Sequence, residues 1–569
     1  HPGVALWARE KLGKPLAGWR PYGRWASTPK ADKDEFLADA HPCVIDGSSN
    51  DKTPMTVMDG IELARRRLRS GARAVRITGL SGVGKTRFAQ ALFEERVGDD
   101  ALPATDVLYA DLGEDLVPSA SAVVTHLIAN NLSSYVVLDN CPPQTHRSLQ
   151  KQLSASAAPL HLLTIEYDIS DDRPEETDVI HIVPGSEETV TKLLLRRYPK
   201  LHQFNAARIA EFAGGNARLA LALADRVEAD ESLTSFNDEQ LFLRLFQQRK
   251  GESEDLLLTA TVLSLVYSFN VSRDEHGDEL GVLSAISEVP RVDLQRGQAE
   301  LLRRQLAQKR GNWRAVLPHA LANRLTRRAL DEYEPEDINR ELLKPGNIRL
   351  LQSCAHRLGY FHENDRARAL ALTWVQPGAP LANLATLSED HLVVLNHVAP
   401  IFPDIMLGAI EQSARTPGFA DRDNPNIQRF VRLLVDLAYD EEAFDRAADI
   451  LLSIARTERA GENSNSVVGR LRQLHQLHLS GTMAGPARRQ ALVRRLLASG
   501  ARRDREIAGE LLRAAFEARS WTSFGGFQFG ARNRGSGWRP TTGQERRHWY
   551  DGFLALLNPV LEADADSRE

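Results

Sequence analysis

The stretch that decides the fold runs from Ala74 to Glu95 and reads AVRITGLSGVGKTRFAQALFEE. It begins with an apolar, β-branched run, passes through a glycine-rich turn at Gly79 to Thr86, and continues with a helical pattern. The turn matches G-x-x-x-x-G-K-[ST] and lies between a strand and a helix, where the mechanism of that motif requires it. An ordinary glycine-rich turn is the alternative. The two flanking elements favour a phosphate-binding loop (P-loop).

The residues of the predicted P-loop have distinct chemical roles. Its glycines let the backbone curl so that successive N–H groups converge on a β-phosphate at the start of the helix. Lys85 would neutralise the β- and γ-phosphates, and the hydroxyl of Thr86 would ligate Mg²⁺. We therefore expect ATP or ADP and Mg²⁺ as ligands. The predicted nucleotide contacts in this stretch are Gly79, Ser81, Gly82, Val83, Gly84, Lys85, Thr86 and Arg87.

A second acidic position is expected at the end of a neighbouring strand. Asp139 follows the apolar run YVVL, and we interpret it as the carboxylate that orients Mg²⁺ through water. An Asp that caps the next helix is the alternative. The next residue is Asn140, which cannot act as a base where many hydrolysing relatives carry a second acid. Slow turnover is therefore expected, unless Glu166 or a partner supplies the base.

The region around these motifs predicts the fold class. Short β-branched runs alternate with helical patterns from Ala74 to Val183, which predicts a parallel α/β sheet. The predicted strands cover residues 74–78, 106–110, 135–139, 161–165 and 178–183. Thr164 ends the fourth strand, where a polar group would sense the γ-phosphate, and a buried strand threonine is the alternative. Beyond about Glu187 the apolar spacing is helical.

Composition restricts the class of protein. At roughly 150 residues per domain, 569 residues indicate several domains. The 71 Lys and Arg residues against 76 Asp and Glu leave a formal charge of -5, so the whole chain has no field that would hold polyanions. The three cysteines form no C-x-x-C pair, which argues against a disulfide framework or a thiolate zinc site. With neither a membrane span nor a signal peptide in sequence, we expect a cytoplasmic protein.

The motifs GLSGVGKTRFAQALF, YVVLDN and LLTIEYD together resemble the nucleotide-binding core of STAND-class P-loop NTPases, near their NB-ARC and AAA+ branches. The resemblance covers about residues 43 to 330 and implies that the α/β sheet is of the ASCE P-loop type. It departs from the NB-ARC branch at Thr164, which no arginine follows. The resemblance implies a switch that is closed with ADP and assembles with ATP, and an effector outside this chain. The first residue is His1 rather than Met, which fits an effector that lies upstream.

Two further site residues follow from the resemblance. The stretch FAGGNARLALALA, Phe212 to Ala224, is similar to the lid-helix motif of these families, which puts Arg218 at the sensor-2 position facing the phosphates. The stretch WRAVLPHAL resembles the region of the family's M-H-D motif, so His319 would contact the β-phosphate of ADP. A solvated arginine and a structural histidine are the alternatives, and Pro318 and Ala320 depart from the M-H-D pattern.

The predicted domains are an N-terminal extension (1–42), a P-loop NTPase core (43–186), a helical lid (187–236), a winged-helix domain (237–335) and a helical-repeat sensor region (336–569). Leu434 to Ile454 has the spacing of a tetratricopeptide-like hairpin, although no strict repeat period is present. Residues 484 to 519 carry many arginines, which favours a solvated helix face over a nucleic-acid patch. The aromatic and arginine-rich stretch Trp521 to Pro540 is either a partner-binding loop or part of an inter-repeat core.

These observations predict a slow ATPase that serves as a STAND-type switch and oligomerisation platform, in the style of bacterial antiviral or regulatory STAND proteins. Its partners would be a protein trigger on the helical region, other copies of the chain and an upstream effector, with neither a membrane nor nucleic acid. The alternative is a transcription regulator that reads DNA through the winged helix, for which Arg303, Arg304, Lys309 and Arg310 are the available basic residues. A housekeeping AAA+ motor is a third reading, disfavoured by Asn140.

Overall fold

The computed structural model describes residues 17–26, 36–48, 53–70, 73–114, 116–166, 177–227, 233, 237–246, 254–274, 277–376, 378–421, 424–458, 466–478, 480–517, 529–532, 534–535 and 537–566. Its chain divides into two compact units, His1–Tyr333 and Glu334–Glu569. No described helix is long and apolar enough to cross a membrane.

A seven-stranded sheet forms the centre of the first unit. Its strands are β1 (Trp19–Pro21), β2 (Val44–Asp46), β3 (Ala74–Gly79), β4 (Val107–Asp111), β5 (Ser134–Cys141), β6 (Leu160–Glu166) and β7 (Asp178–Ile182). Their spatial order is β1-β4-β5-β6-β3-β7-β2. Strands β3 to β7 are mutually parallel, which confirms the predicted α/β sheet. The short edge strands β1 and β2 pair antiparallel and were missed, because three residues are too few to show a period.

Helices cover both faces of this sheet, and a further group of helices follows β7. They are α1 (Tyr22–Ala26), α2 (Val57–Arg69), α3 (Lys85–Ala91), α4 (Ala120–Ala129), α5 (Pro143–Ser154), α6 (Glu187–Arg197), α7 (Gln203–Ala213), α8 (Ala217–Ala224) and α9 (Asp238–Arg244). Side chains of a strand alternate between faces. Val75 and Ile77 therefore pack against Phe88 of α3, whereas Leu138 packs with Leu153 of α5 on the opposite face. This alternation decides which strand residues can reach the P-loop helix.

The rest of the first unit combines helices with a small antiparallel sheet. Its elements are α10 (Glu254–Ser264), β8 (Phe269–Asn270), α11 (Glu279–Ser287), α12 (Arg291–Arg303), β9 (Ala307–Arg310), β10 (Trp313–Val316) and α13 (His319–Glu332). The sheet has the order β8-β10-β9. Strands β9 and β10 pair antiparallel as a hairpin, with β10 at the centre of the sheet and β9 at its edge. This small sheet was not predicted from the strand signals.

The second unit consists, in its described residues, of helices joined by loops. Its α-helices are α14 (Pro335–Leu342), α15 (Ile348–Leu358), α16 (Asp365–Val375), α17 (Glu389–Val398), α18 (Pro403–Ala414), α19 (Ile427–Leu437), α20 (Glu441–Thr457), α21 (Val467–Leu474), α22 (Pro486–Ala498), α23 (Arg502–Phe516) and α24 (Gly543–Asp566). The predicted hairpin at 434–454 is present as α19 and α20. Each buries an apolar stripe, with Phe430 and Leu434 on α19 and Phe444 and Leu451 on α20.

Candidate functional site

The P-loop connects β3 to α3. Its residue Gly84 has a φ of 100°, and a Cβ added there would meet no atom within 4 Å. Its residue Gly82 has a φ of 90°, and a Cβ there would lie 2.4 Å from the Oδ1 atom of Asn216. Both positions therefore favour glycine, the first by backbone conformation and the second also by the close approach of another chain segment. These constraints account for Gly82 and Gly84 of the P-loop.

The lysine of the motif folds back over the loop. Lys85 Nζ donates hydrogen bonds to the carbonyl oxygens of Gly79 at 2.5 Å and Leu80 at 2.9 Å. The ammonium group is thus held at the mouth of the P-loop by two neutral acceptors. A phosphate oxygen is a stronger acceptor because it is charged. The structure therefore holds Lys85 where it can exchange carbonyl acceptors for phosphate.

Thr86 and Asp139 are brought together as predicted for a metal-ligating pair. The Thr86 hydroxyl donates to Asp139 Oδ2 at 2.8 Å, although the two residues are 53 positions apart. Asp139 also accepts from the Asn140 N–H at 2.9 Å and lies 3.4 Å from the Tyr109 hydroxyl. Burial of its carboxylate raises the pKa of Asp139 to about 6. A divalent cation between hydroxyl and carboxylate would offset that cost of burying a charge.

A polar network beside Asp139 was missed in sequence. Asp111 ends β4 as Asp139 ends the apolar run of β5, and the two residues are partners in the parallel register. The Asn140 amide donates to Asp111 Oδ1 at 2.7 Å, and its own oxygen accepts a hydrogen bond from the Gln308 amide. Asp111 could have been predicted in the same way as Asp139, because each is an aspartate at the end of an apolar run. No sequence pattern indicated Gln308, because it lies in a hairpin that is 168 positions along the chain from Asn140.

Residues at the start of α8 contact the P-loop. Asn216 caps α8 by accepting the Leu219 N–H, and its amide donates to the Ser81 carbonyl at 2.9 Å. Arg218 donates to the Ser81 hydroxyl at 3.0 Å. The lid motif therefore lies on the phosphate loop, and a contact between Arg218 and phosphate stays a prediction. Asn216 belongs to the same motif, but only its arginine was selected as a site residue.

Arg218 also reaches the β9–β10 hairpin. Its guanidinium donates to the carbonyl oxygens of Gln305 at 2.8 Å and Ala307 at 3.2 Å. The hairpin also contacts the loop after β4, where the Gly311 N–H lies 3.4 Å from the Gly113 carbonyl. We call the hydrogen bonds that join the hairpin to the nucleotide site the clasp. The clasp consists of the side-chain bonds of Arg218 to Ser81, Gln305 and Ala307 and of Gln308 to Asn140.

The structure does not bring Thr164 to the P-loop. Ile165 belongs to the core on the α3 face, so Thr164 points to the opposite face, where it is fully buried. Its hydroxyl lies 2.8 Å from His146 Nδ1 and 3.4 Å from an Arg76 nitrogen, and His146 Nε2 lies 2.9 Å from the Thr177 hydroxyl. This corrects the predicted γ-phosphate sensor: the alternative of a buried strand threonine matches its position.

Two other predicted contacts are engaged elsewhere. The His319 ring stacks on Tyr267 with centroids 5.1 Å apart, and its Nε2 lies 3.3 Å from the Tyr267 hydroxyl, so its described contacts are structural. Arg87 forms a two-pronged ion pair with Glu94, at 2.6 and 3.0 Å. Neither arrangement supports a nucleotide contact. The side chain of Glu166, the suggested base, lies outside the described residues.

Comparisons with known proteins do not assign a family. No protein-family model and no curated protein matches the chain. Among solved structures, a STAND (signal transduction ATPase with numerous domains) protein with a tetratricopeptide repeat sensor from Pyrococcus horikoshii is 11% identical. The match covers 80% of this chain and 76% of that chain, with a TM-score of 0.29. A likeness this distant carries no argument, so function must be argued from the site.

Proposed function

We propose that the chain binds adenine nucleotide with Mg²⁺ and acts as a slow ATPase of the STAND type, in which nucleotide controls a conformational switch. The observation that carries the proposal is the 2.8 Å hydrogen bond between Thr86 and Asp139, directly beside Lys85. Three residues of two separate motifs thus meet at the carboxyl end of a parallel sheet. That edge is where α/β proteins bind their ligands.

The residues present fit a magnesium nucleotide. Gly84 leaves open space at the start of α3, so phosphate can approach the backbone N–H groups there. Lys85 would release its two carbonyl acceptors and bind phosphate, while Thr86 and Asp139 would hold the metal directly and through water. When bound, the nucleotide supplies a phosphoanhydride bond for hydrolysis. The adenine base is proposed from the family resemblance alone.

Slow turnover follows from the residue after Asp139. Asn140 cannot accept a proton from water, and its amide is already bonded to Asp111 and Gln308. Asp111 is the nearest described carboxylate partner of this network, but its Oδ1 atom accepts both the Asn140 amide and the Gly113 N–H. A site with its polar groups occupied in this way favours retention of nucleotide over rapid hydrolysis.

The clasp supports the switch part of the proposal. It joins the P-loop and Asn140 to a hairpin that belongs to a separate small sheet. Phosphate bound at the P-loop would compete with Ser81 for Arg218, because a phosphate oxygen is the stronger acceptor. We infer that ADP leaves the clasp closed and ATP opens it. A ligand can shift such an equilibrium only by binding one state more tightly.

The remaining parts of the proposal come from the resemblance. The order of elements from α10 to α13 supports a winged-helix domain, and the helical second unit supports a repeat sensor. A protein trigger on the second unit, self-association on opening, an effector outside this chain and a role in anti-phage defence complete the proposal. DNA reading by the same domain is less well supported. Arg304, one of the four basic residues available for it, is buried and paired with Glu300.

Binding of a fluorescent ATP analogue with Mg²⁺ to the full chain tests the proposal. We expect Lys85→Ala to weaken binding by about 100-fold, near 2.7 kcal/mol, because the charged phosphate contact is lost. Lys192→Ala is the matched control, since Lys192 is an exposed lysine of α6. Equal affinities of the two variants would refute the nucleotide site.

A further inference from the structure

The segment 529–540, which we call the strap, precedes α24, and its described residues (529–532, 534–535 and 537–540) contact three parts of the second unit in turn. At the first contact, Gly530 approaches the Gly359 carbonyl, where a Cβ would lie only 2.3 Å from its oxygen. Arg532 donates to the Pro400 carbonyl at 2.5 Å. Gly359 ends α15 and Pro400 follows α17. The strap therefore begins at helices that precede it by more than a hundred residues.

The second contact is a pocket for one arginine. The side chain of Arg534 is 3% exposed and lies between the rings of Phe529 and Tyr439, 4.3 and 4.5 Å from their centroids. It donates to the Asp436 carbonyl at 2.6 Å and to the Asp440 carboxylate at 3.2 Å. A guanidinium on an aromatic face with a carboxylate beside it is a strong recognition element.

The third contact is made by main chain. The Trp538 N–H donates to the Thr482 carbonyl at 2.7 Å, and a Cβ on Gly537 would lie 2.6 Å from the same oxygen. The indole of Trp538 stacks on Trp549 of α24 at 5.6 Å. Between the second and third contacts, the Gly535 N–H donates to the Tyr439 hydroxyl at 2.8 Å. Backbone bonds thus hold the strap on the C-terminal side of Arg534, and the Arg532 side chain holds it on the N-terminal side.

The strap has the properties of a bound peptide more than those of a core segment. Its sequence, FGARNRGSGWRP, is rich in glycine and arginine, whereas core segments are apolar. Its contacts follow the order of the helices along the chain, from 359 and 400 through 436–440 to 480–482. Helical solenoids leave a groove of this kind across successive repeats, and they use it to bind extended partners. Main-chain bonds plus one anchored side chain are how such grooves gain affinity and specificity.

We propose that these contacts line a peptide-binding groove that the strap occupies in this state, and that an extended, arginine-containing segment of a partner protein displaces it. The partner's arginine takes the pocket of Arg534 between Tyr439 and Asp440. The strap is then an intramolecular competitor. The apparent affinity for the partner equals the affinity of the free groove multiplied by the fraction of molecules in which the groove is free. This inference concerns the second unit and does not depend on nucleotide binding.

Two glycine positions allow the strap to be evicted without changing the groove. Ala at Gly530 or Gly537 would clash with the Gly359 or Thr482 carbonyl, whereas a Cβ on Gly535 meets no atom within 4 Å. The probe is a fluorescent peptide with the sequence FGARNRGSGWRP, titrated against the full chain and followed by anisotropy. We expect the double variant Gly530→Ala/Gly537→Ala to bind it at least about tenfold more tightly than wild type or the Gly535→Ala control.

A second peptide with Ala in the place of Arg534 should lose most of this binding, since it lacks the pocket contacts. The inference is overturned if the double variant keeps its helical circular dichroism and melting temperature but binds the peptide no better than Gly535→Ala. Hydrogen exchange of the wild-type chain tests the same inference without a variant that could misfold. The Gly535 and Trp538 amides should exchange far faster than those of α19 and α20. Exchange at one common rate would show that the strap is a permanent part of the core.

Discussion

The two units of the chain use buried polar groups in opposite ways. In the first unit, Thr86 and Asp139 converge at the open edge of a parallel sheet, where their bonds can be exchanged for a ligand's. In the second unit, Arg489 is fully buried and donates to the Ala484 and Gln476 carbonyl oxygens at 2.8 and 2.9 Å, and to further acceptors near them. The polar groups at the sheet edge of the first unit are available to a ligand, whereas the buried polar groups of the second unit hold helices together.

The largest expected effect comes from removing a buried polar group that holds helices of the second unit together. Arg489→Met would remove the guanidinium that satisfies the acceptors between α21 and α22 and that lies 5.2 Å from the Trp549 ring. Loss of the guanidinium leaves several buried acceptors without this donor, and each unsatisfied acceptor costs about 1 to 3 kcal/mol. We therefore expect the second unit to unfold at much lower urea concentration, followed by circular dichroism. Nucleotide binding by the first unit should persist.

The control for this variant is Arg494→Met, on the exposed side of the same helix. It should change the unfolding midpoint little, since exposed substitutions usually cost less than about 0.5 kcal/mol. Equal midpoints for the two variants would show that the buried guanidinium does not stabilise the second unit.

A smaller effect is expected from acid. His475 is fully buried beside the Leu471 carbonyl, and burial lowers the pKa of its imidazole from 6.5 to about 4. As pH falls below 6.5 the unfolded chain binds a proton that the folded chain excludes, so the free energy of unfolding decreases. The loss between pH 7 and pH 5 is about 1 to 2 kcal/mol for this residue. Urea unfolding of wild type and His475→Leu at both pH values measures it, and an equal pH dependence in the two would contradict the assignment.

The smallest expected effect concerns the clasp. Arg218→Ala removes its bonds to Ser81, Gln305 and Ala307. Hydrogen exchange in β9 and β10 should become about tenfold faster, a change of 1.4 kcal/mol. Arg296→Ala is the control, because Arg296 is an exposed arginine of α12 in the same unit. Should the two variants exchange alike, Arg218 would not hold the hairpin.

The elements that the sequence predicted correctly are those set by residues close to one another along the chain. The five parallel strands and the P-loop were found because β-branched runs and the glycine pattern lie within a few residues of each other. The clasp could not be found in this way, since Gln308 and Asn140 are 168 positions apart. Thr164 was misplaced because a strand-end position alone does not show which face a side chain takes. The first aromatic residues of the stretch Trp521 to Pro540 lie outside the described residues.

The second unit shows the same limit. Amphipathic spacing predicted its helices, but it did not decide between a partner-binding loop and an inter-repeat core for the stretch that contains Phe529 and Arg534, whose side chains are buried. Arginine clusters in sequence are usually solvated faces. Only the fold shows that Arg489 and Arg534 contact tryptophan, tyrosine and phenylalanine rings. Whether a partner binds this region therefore stays a prediction.

The central claim is that nucleotide at the P-loop controls the clasp, and hydrogen exchange tests it most directly. The amides of β9 and β10 would be followed in the wild-type chain with Mg²⁺ and either ADP or a non-hydrolysable ATP analogue, with Lys85→Ala as the control. We predict faster exchange with the ATP analogue than with ADP in wild type, and no difference in Lys85→Ala. Identical exchange of the wild-type hairpin in both nucleotides, at saturating concentrations, would contradict the switch.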